Sequence, residues 1–140
     1  MVRRILVPLD SGALGGEAKL PVVEDHARAF DAEVRLLQVL EPKALDPAEL
    51  RPTEGKARAY VGLVVARIAA ADVRATALIR TCPPAATIVD EAREHRAHLI
   101  VLGANVRSRL RSVVTGRVAD DVVKTGHGPV LLVRPRAAAS

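Results

Sequence analysis

The chain has 140 residues, enough for a single domain with a proper core, and 49% of them are hydrophobic. A net charge of +5 invites nucleic acid, but Phe30 and Tyr60 are the only aromatics, so stacking platforms are lacking, and no helix-turn-helix or zinc-finger spacing occurs. No apolar run approaches the ~18–20 residues of a membrane span, no signal-peptide pattern opens the chain, and the single Cys82 excludes an intrachain disulfide and suits a reducing cytosol.

Strand and helix patterns alternate from end to end. The run from Arg4 to Leu9 reads as a buried strand. A helix is predicted over residues 17–30, with Leu20, Val23 (or Val22), Ala27 and Phe30 at helical spacing and Pro21 near its first turn. Glu33 to Leu40 is a second strand. Residues 41–52 carry three prolines and read as one long loop, placed to act as a lid. A helix over residues 54–70 leads to a third strand, Val73 to Ile79.

A further helix is predicted from Pro84 or Ala85 to His95, with Thr81 as its cap. His98 to Leu102 is the fourth strand. The last helix spans about Val113 to Thr125, with Val114, Val118 and Val122 on one face and Gly126 or Gly128 at its end. Pro129 to Val133 is the fifth strand. The pattern predicts one α/β domain over residues 1–140: a doubly wound five-stranded parallel sheet with helices on both faces. Strands one and four would be the central pair, and their C-terminal ends carry Asp10 and Gly103.

The segment after Gly103 carries most of the chemistry. Arg107, Arg109, Arg111 and Arg117 crowd it, Gly116 lies at or near the start of a helix, and no acid falls between Gly103 and Val118. Backbone N–H groups at a helix N-terminus, assisted by positive charge, make an anion site. The layout points to a phosphate-like ligand. Other reactive residues carry less. Cys82 has no histidine near it in sequence and reads as a structural thiol. His26, His95, His98 and His127 show no metal spacing. Ser11 has no nucleophile-elbow context.

Several stretches together resemble the universal stress protein family: ILVPLD ending at Asp10, LLQVLEP ending at Pro42, Pro84 followed by Ile88, LIVLG ending at Gly103, GRVA from Gly116, and GPVLLV ending at Val133. The resemblance covers the whole chain. It implies a Rossmann-like cytoplasmic stress-response or regulatory domain, strand order three-two-one-four-five, and a homodimer through strand five. One subclass of the family binds ATP, with Mg²⁺ as its companion, through Gly-x2-Gly-x9-Gly followed by Ser or Thr. Another subclass lacks the motif, binds no nucleotide and acts through partners.

Carried onto this chain, the first glycine is Gly103 and the third is Gly116, but Val106 stands at the second and Arg117 follows the third. The resemblance places Asp10, Val39 and Gly103 around the adenosine of an adenine nucleotide, with Pro8, Leu9, Leu102 and Val106 as further residues of the nucleotide site. It places Arg107, Gly116, Arg117 and the Val118 backbone around the phosphates. The altered positions matter physically. A β-branched valine resists the close backbone approach and the positive φ that glycine permits. Arginine replaces a hydroxyl with charge and reach, and either clamps a phosphate from another direction or fills the pocket.

Other functions fit less well. A nucleotide hydrolase or adenylating enzyme would need a base, paired carboxylates or a Mg²⁺ ligand set near Gly103, and a Ser-Gly-Gly-x-Asp loop is missing after strand one. A phosphoacceptor receiver would need an aspartate ending strand three and a lysine after strand five. Arg80 and Arg134 stand there.

Overall fold

Near-continuous Val, Ile and Leu make Arg4–Leu9 the innermost strand, β1, with Ile5, Leu6 and Val7 removed from solvent altogether. The computed structural model describes residues 2–9, 14–40, 47–81, 84–103, 121–126 and 128–133. After β1 come α1 (Leu14–Phe30), β2 (Glu33–Leu40), α2 (Pro47–Ala70), β3 (Ala75–Thr81), α3 (Pro84–Glu94), β4 (Leu99–Gly103) and β5 (Val130–Val133). A helical stretch over residues 121–125 precedes β5. All four strand pairings are parallel, and the order is β3-β2-β1-β4-β5. The sheet is therefore the doubly wound one the alternation predicts.

Alternation along each strand divides the core in two. Ile5, Val7, Leu9, Val34, Leu36, Leu99 and Val101 pack with Leu20, Val23, Ala27, Val61, Val64 and Ile68, so α1 and α2 cover one face. Leu6, Leu37, Ile100 and Leu102 pack with Ile88, Val89 and Val122, so α3 and the 121–125 stretch cover the other. Arg67 Nε reaches Glu24 Oε2 at 3.4 Å and ties α2 to α1.

Three helices end alike. Ala32 N donates to Ala27 O at 2.8 Å, Val73 N to Ile68 O at 3.3 Å and Ala97 N to Ala92 O at 2.8 Å. The residue before each donor has a positive φ: Asp31 at 51°, Asp72 at 62° and Arg96 at 53°. Each also bonds three residues back, which completes a Schellman motif without glycine.

Several expectations are corrected. α2 opens at Pro47, so residues 47–52, expected in the long loop, are helical, and residues 41–46 lie outside the described residues. Proline suits a helix's first position, and Pro52, one and a half turns in, is exposed, where the carbonyl it leaves unpaired costs least. Pro21 sits in the interior of α1, again exposed, because the helix begins at Leu14. β3 begins at Ala75 because Val73 is used by the cap of α2. Phe30 shares the helical spacing of Leu20, Val23 and Ala27 but is 42% exposed, with its ring tilted against His26. The last helix is seen only over 121–125, and Gly126 follows it directly. Cys82 and the expected positions Val113 to Val118 lie outside the described residues.

Candidate functional site

The winding of the sheet reverses between β1 and β4, and there the hydrogen-bonded ladder between them stops. Arg4 O accepts from His98 N at 2.8 Å, while Arg3 O accepts from Glu33 N at 2.9 Å. Even-numbered residues of β1 therefore turn their backbone groups to β4, and odd-numbered ones to β2. The β1–β4 ladder holds only Ile5↔Leu99 and Leu6↔Ile100, although the β1–β2 ladder runs on to Leu9↔Gln38 and β4–β5 to Gly103↔Val133.

Pro8 is the next even-numbered residue. It has no N–H to give β4, so the ladder loses its bond at the point where it stops. A proline in a central strand is a break by design here, because a gap between strand ends at a switch point is where open α/β sheets take ligands.

Two buried polar side chains occupy the α1–α2 side of that gap. Lys19 on α1 is only 1% exposed, and its Nζ donates to Pro8 O. Gln38 on β2 is 2% exposed, and its Nε2 donates to Leu9 O at 3.4 Å. The last two carbonyls of β1 are thus each held by a buried side chain.

The expected site residues fall as follows. Pro8 and Leu9 are buried at the end of β1. Val39 is half-buried near the end of β2, packed toward the α3 face. Leu102 is buried and Gly103 half-buried at the end of β4. These five share the C-terminal edge of three adjacent strands. Asp10, Val106, Arg107, Gly116, Arg117 and Val118 lie outside the described residues.

Lys19, Gln38 and the part played by Pro8 are not among the residues singled out from the sequence. Each carried a signal. Lys19 is four residues before Val23 and adjacent to Leu20, on the apolar stripe of α1. Gln38 interrupts an otherwise apolar LLQVL run, and Pro8 interrupts ILVPL.

The opposite edge of the sheet is ionic. Arg4 Nε lies 3.4 Å from Glu33 Oε1 and Arg35 Nη1 lies 3.4 Å from Glu91 Oε1. His98 Nδ1 accepts from the backbone N–H of Arg3 at 3.3 Å and of Arg4 at 3.2 Å, which pins β1 to β4 at their beginnings. Burial, with the charge of Arg35 next and Arg4 after it, pushes His95 below its ordinary value of 6.5, against the opposing pull of Glu33 and Glu91. A groove of about 540 Å³ opens at this edge, lined by Arg3, Arg4, Phe30, Asp31, Glu33 and Arg74. Of its charged residues Arg4 and Glu33 form an ion pair, and it lies at the opposite end of β1 from Pro8. Among the described residues no group of three or more His, Cys, Asp or Glu is placed to hold a metal ion.

Comparison with known proteins agrees with this architecture. The universal stress protein MJ0531 of Methanocaldococcus jannaschii is 28% identical over 145 residues, spanning 96% of this chain and 83% of its own length. The structure of the hypothetical protein MJ0577 superposes with a TM-score of 0.83 at 22% identity, over 99% of both chains. The universal stress protein of Archaeoglobus fulgidus, in its complex with dAMP, superposes with a TM-score of 0.72 at 22% identity, over 94% of this chain and 98% of that one. The sequence profile of the universal stress protein family matches residues 1–134, and the chain belongs to that family.

Proposed function

We propose that this chain is a regulatory, cytosolic domain of the stress response that binds an adenine nucleotide at the C-terminal ends of β1 and β4. One observation carries the reading. The β1–β4 ladder stops at Ile100, and Pro8, Leu9, Val39, Leu102 and Gly103 gather along the edge beyond it. The dAMP complex of a neighbour with the same fold supports an adenine ligand.

The strand ends offer what a base and ribose need: apolar walls from Leu9, Val39 and Leu102, and a glycine at the end of β4 where backbone approaches a ligand closely. Asp10, directly after β1, would take the ribose hydroxyls. Gly116, the Val118 backbone and the arginines would face the phosphates, and Mg²⁺ would arrive as the companion of those phosphates. The role proposed is binding and signalling, with turnover of ATP at most very slow.

A second reading rests on Val106 and Arg117, which stand where the nucleotide-binding subclass has glycine and Ser or Thr. In it, the chain is a ligand-free dimeric scaffold that works through a protein partner. Denaturing extraction of the purified protein, with mass identification of released small molecules, decides between them. A stoichiometric adenine nucleotide supports the first reading. An empty extract, with no heat on titration of Mg-ATP at millimolar concentration, overturns it in favour of the scaffold.

A further inference from the structure

The inference concerns the buried lysine behind β1 and rests on the adenine-nucleotide reading. Pro8 O points to the β4 side of β1, beyond the last residue that β4 pairs. A carbonyl buried there needs a donor. A hydroxyl would serve at little cost. The chain instead uses Lys19, which is 1% exposed, on a helix face otherwise occupied by Leu20, Val23 and Ala27. Removing an ammonium group from water is expensive. Its placement satisfies the carbonyl beyond the point where β4 pairs with β1, without a donor from β4. Gln38 holds the next carbonyl, Leu9 O, from the β2 side. The two residues immediately before Asp10 are thus fixed from two directions.

We infer that Lys19 is a positioning residue for the ligand: it sets the open end of β1, assisted by Gln38, and so fixes the wall that receives the base and ribose. Lys19 acts on β1 and not on the phosphates, which the basic segment after Gly103 would face. Its removal therefore acts alike on ligands with and without phosphate.

The test compares the wild type with Lys19→Met, which keeps length and apolar bulk but loses the donor. Adenosine and Mg-ATP are titrated well below each protein's unfolding temperature, and amide hydrogen exchange is followed along β1. The expected result is a loss of about ten-fold in affinity, the same for both ligands, because the charge-assisted bond from Lys19 to Pro8 O is gone. Exchange at Leu9 and Asp10 should quicken while Ile5 to Val7 stay protected.

Should Lys19→Met not fold, Gln38→Met is the second variant, with the same pattern expected at smaller size. Unchanged affinity in a folded variant, even with a lower melting temperature, overturns the inference, since Lys19 would then be only structural. A loss confined to Mg-ATP also overturns it, since Lys19 would then act as a charge. If the wild type binds neither ligand, the nucleotide reading fails by itself. Exchange then decides: quickening limited to Leu9 and Asp10 supports Lys19 as the residue that sets the strand end, and any other pattern overturns it.

Discussion

His95 Nε2 stands 3.8 Å from Glu33 Oε1, too far for a hydrogen bond, and no other hydrogen-bond partner reaches that buried nitrogen among the described residues. The imidazole is wedged between burial and the Arg35 guanidinium on one side and two glutamates on the other. Burial and Arg35 prevail, so the folded chain resists protonating it.

The first prediction follows by linkage. The folded value lies below 6.5, so below pH 6.5 the unfolded chain binds more protons at this position. The contribution of His95 to stability is fully present above pH 6.5 and is lost as pH falls through the folded value. Urea denaturation at pH 7.5 and pH 5.5 should show a smaller loss in His95→Gln than in the wild type. An equal loss in both would place the acid sensitivity elsewhere.

The helix ends give a second prediction. Arg96 holds φ at 53° in a Schellman motif, a conformation that costs a side chain with a Cβ about 1–2 kcal/mol. Glycine removes that cost and adds about 0.5–1 kcal/mol of chain entropy. Arg96→Gly should therefore stabilise by about 0.5–1 kcal/mol, measured by urea denaturation. Asp72→Gly should gain less, because aspartate tolerates the left-handed region better.

The third prediction concerns association. β5 is an edge strand, and Leu132 on it is 49% exposed. Leu131 and Val133 pack against the core shared with α1 and α2, so a charge at either would disturb the fold as well as the edge. Leu132→Lys is the cleaner probe. We expect the wild type to sediment as a homodimer at tens of micromolar and Leu132→Lys to shift toward monomer. A monomeric wild type would remove β5 as an interface.

The basic segment gives a fourth. If Val106 and Arg117 have weakened an ancestral phosphate loop, Val106→Gly with Arg117→Ser should tighten Mg-ATP by about ten-fold or more and leave adenosine unchanged, by calorimetry. If arginine has taken over the lost contacts, Arg117→Ser alone weakens ATP more than adenosine.

Much of this molecule was legible in its sequence. β1 and β2 lie where their near-continuous Val, Ile and Leu runs place them, because strands covered on both faces are rich in these residues. Helix starts were less legible. Gly15 and Gly16 read as loop yet belong to α1, and Pro47 and Pro52 read as loop yet belong to α2, because packing outweighs propensity. The strand-end residues Pro8, Leu9, Val39, Leu102 and Gly103 share one edge, as the strand order requires. Lys19 was not legible as a buried group. A lone lysine on an apolar stripe ordinarily lets its charge snorkel to water, whereas this one is buried with its Nζ donating to Pro8 O.

The central claim is that the ligand lies between the C-terminal ends of β1 and β4. An amide chemical-shift titration of the labelled 14.9 kDa chain with adenosine tests it most directly. The largest shifts should fall at Leu9, Val39 and Gly103, with Ile5 and Leu99 at the other end of the strands unmoved. No shifts at millimolar adenosine, or shifts gathered around Arg3, Phe30 and Arg74 in the groove at the opposite edge, would contradict it.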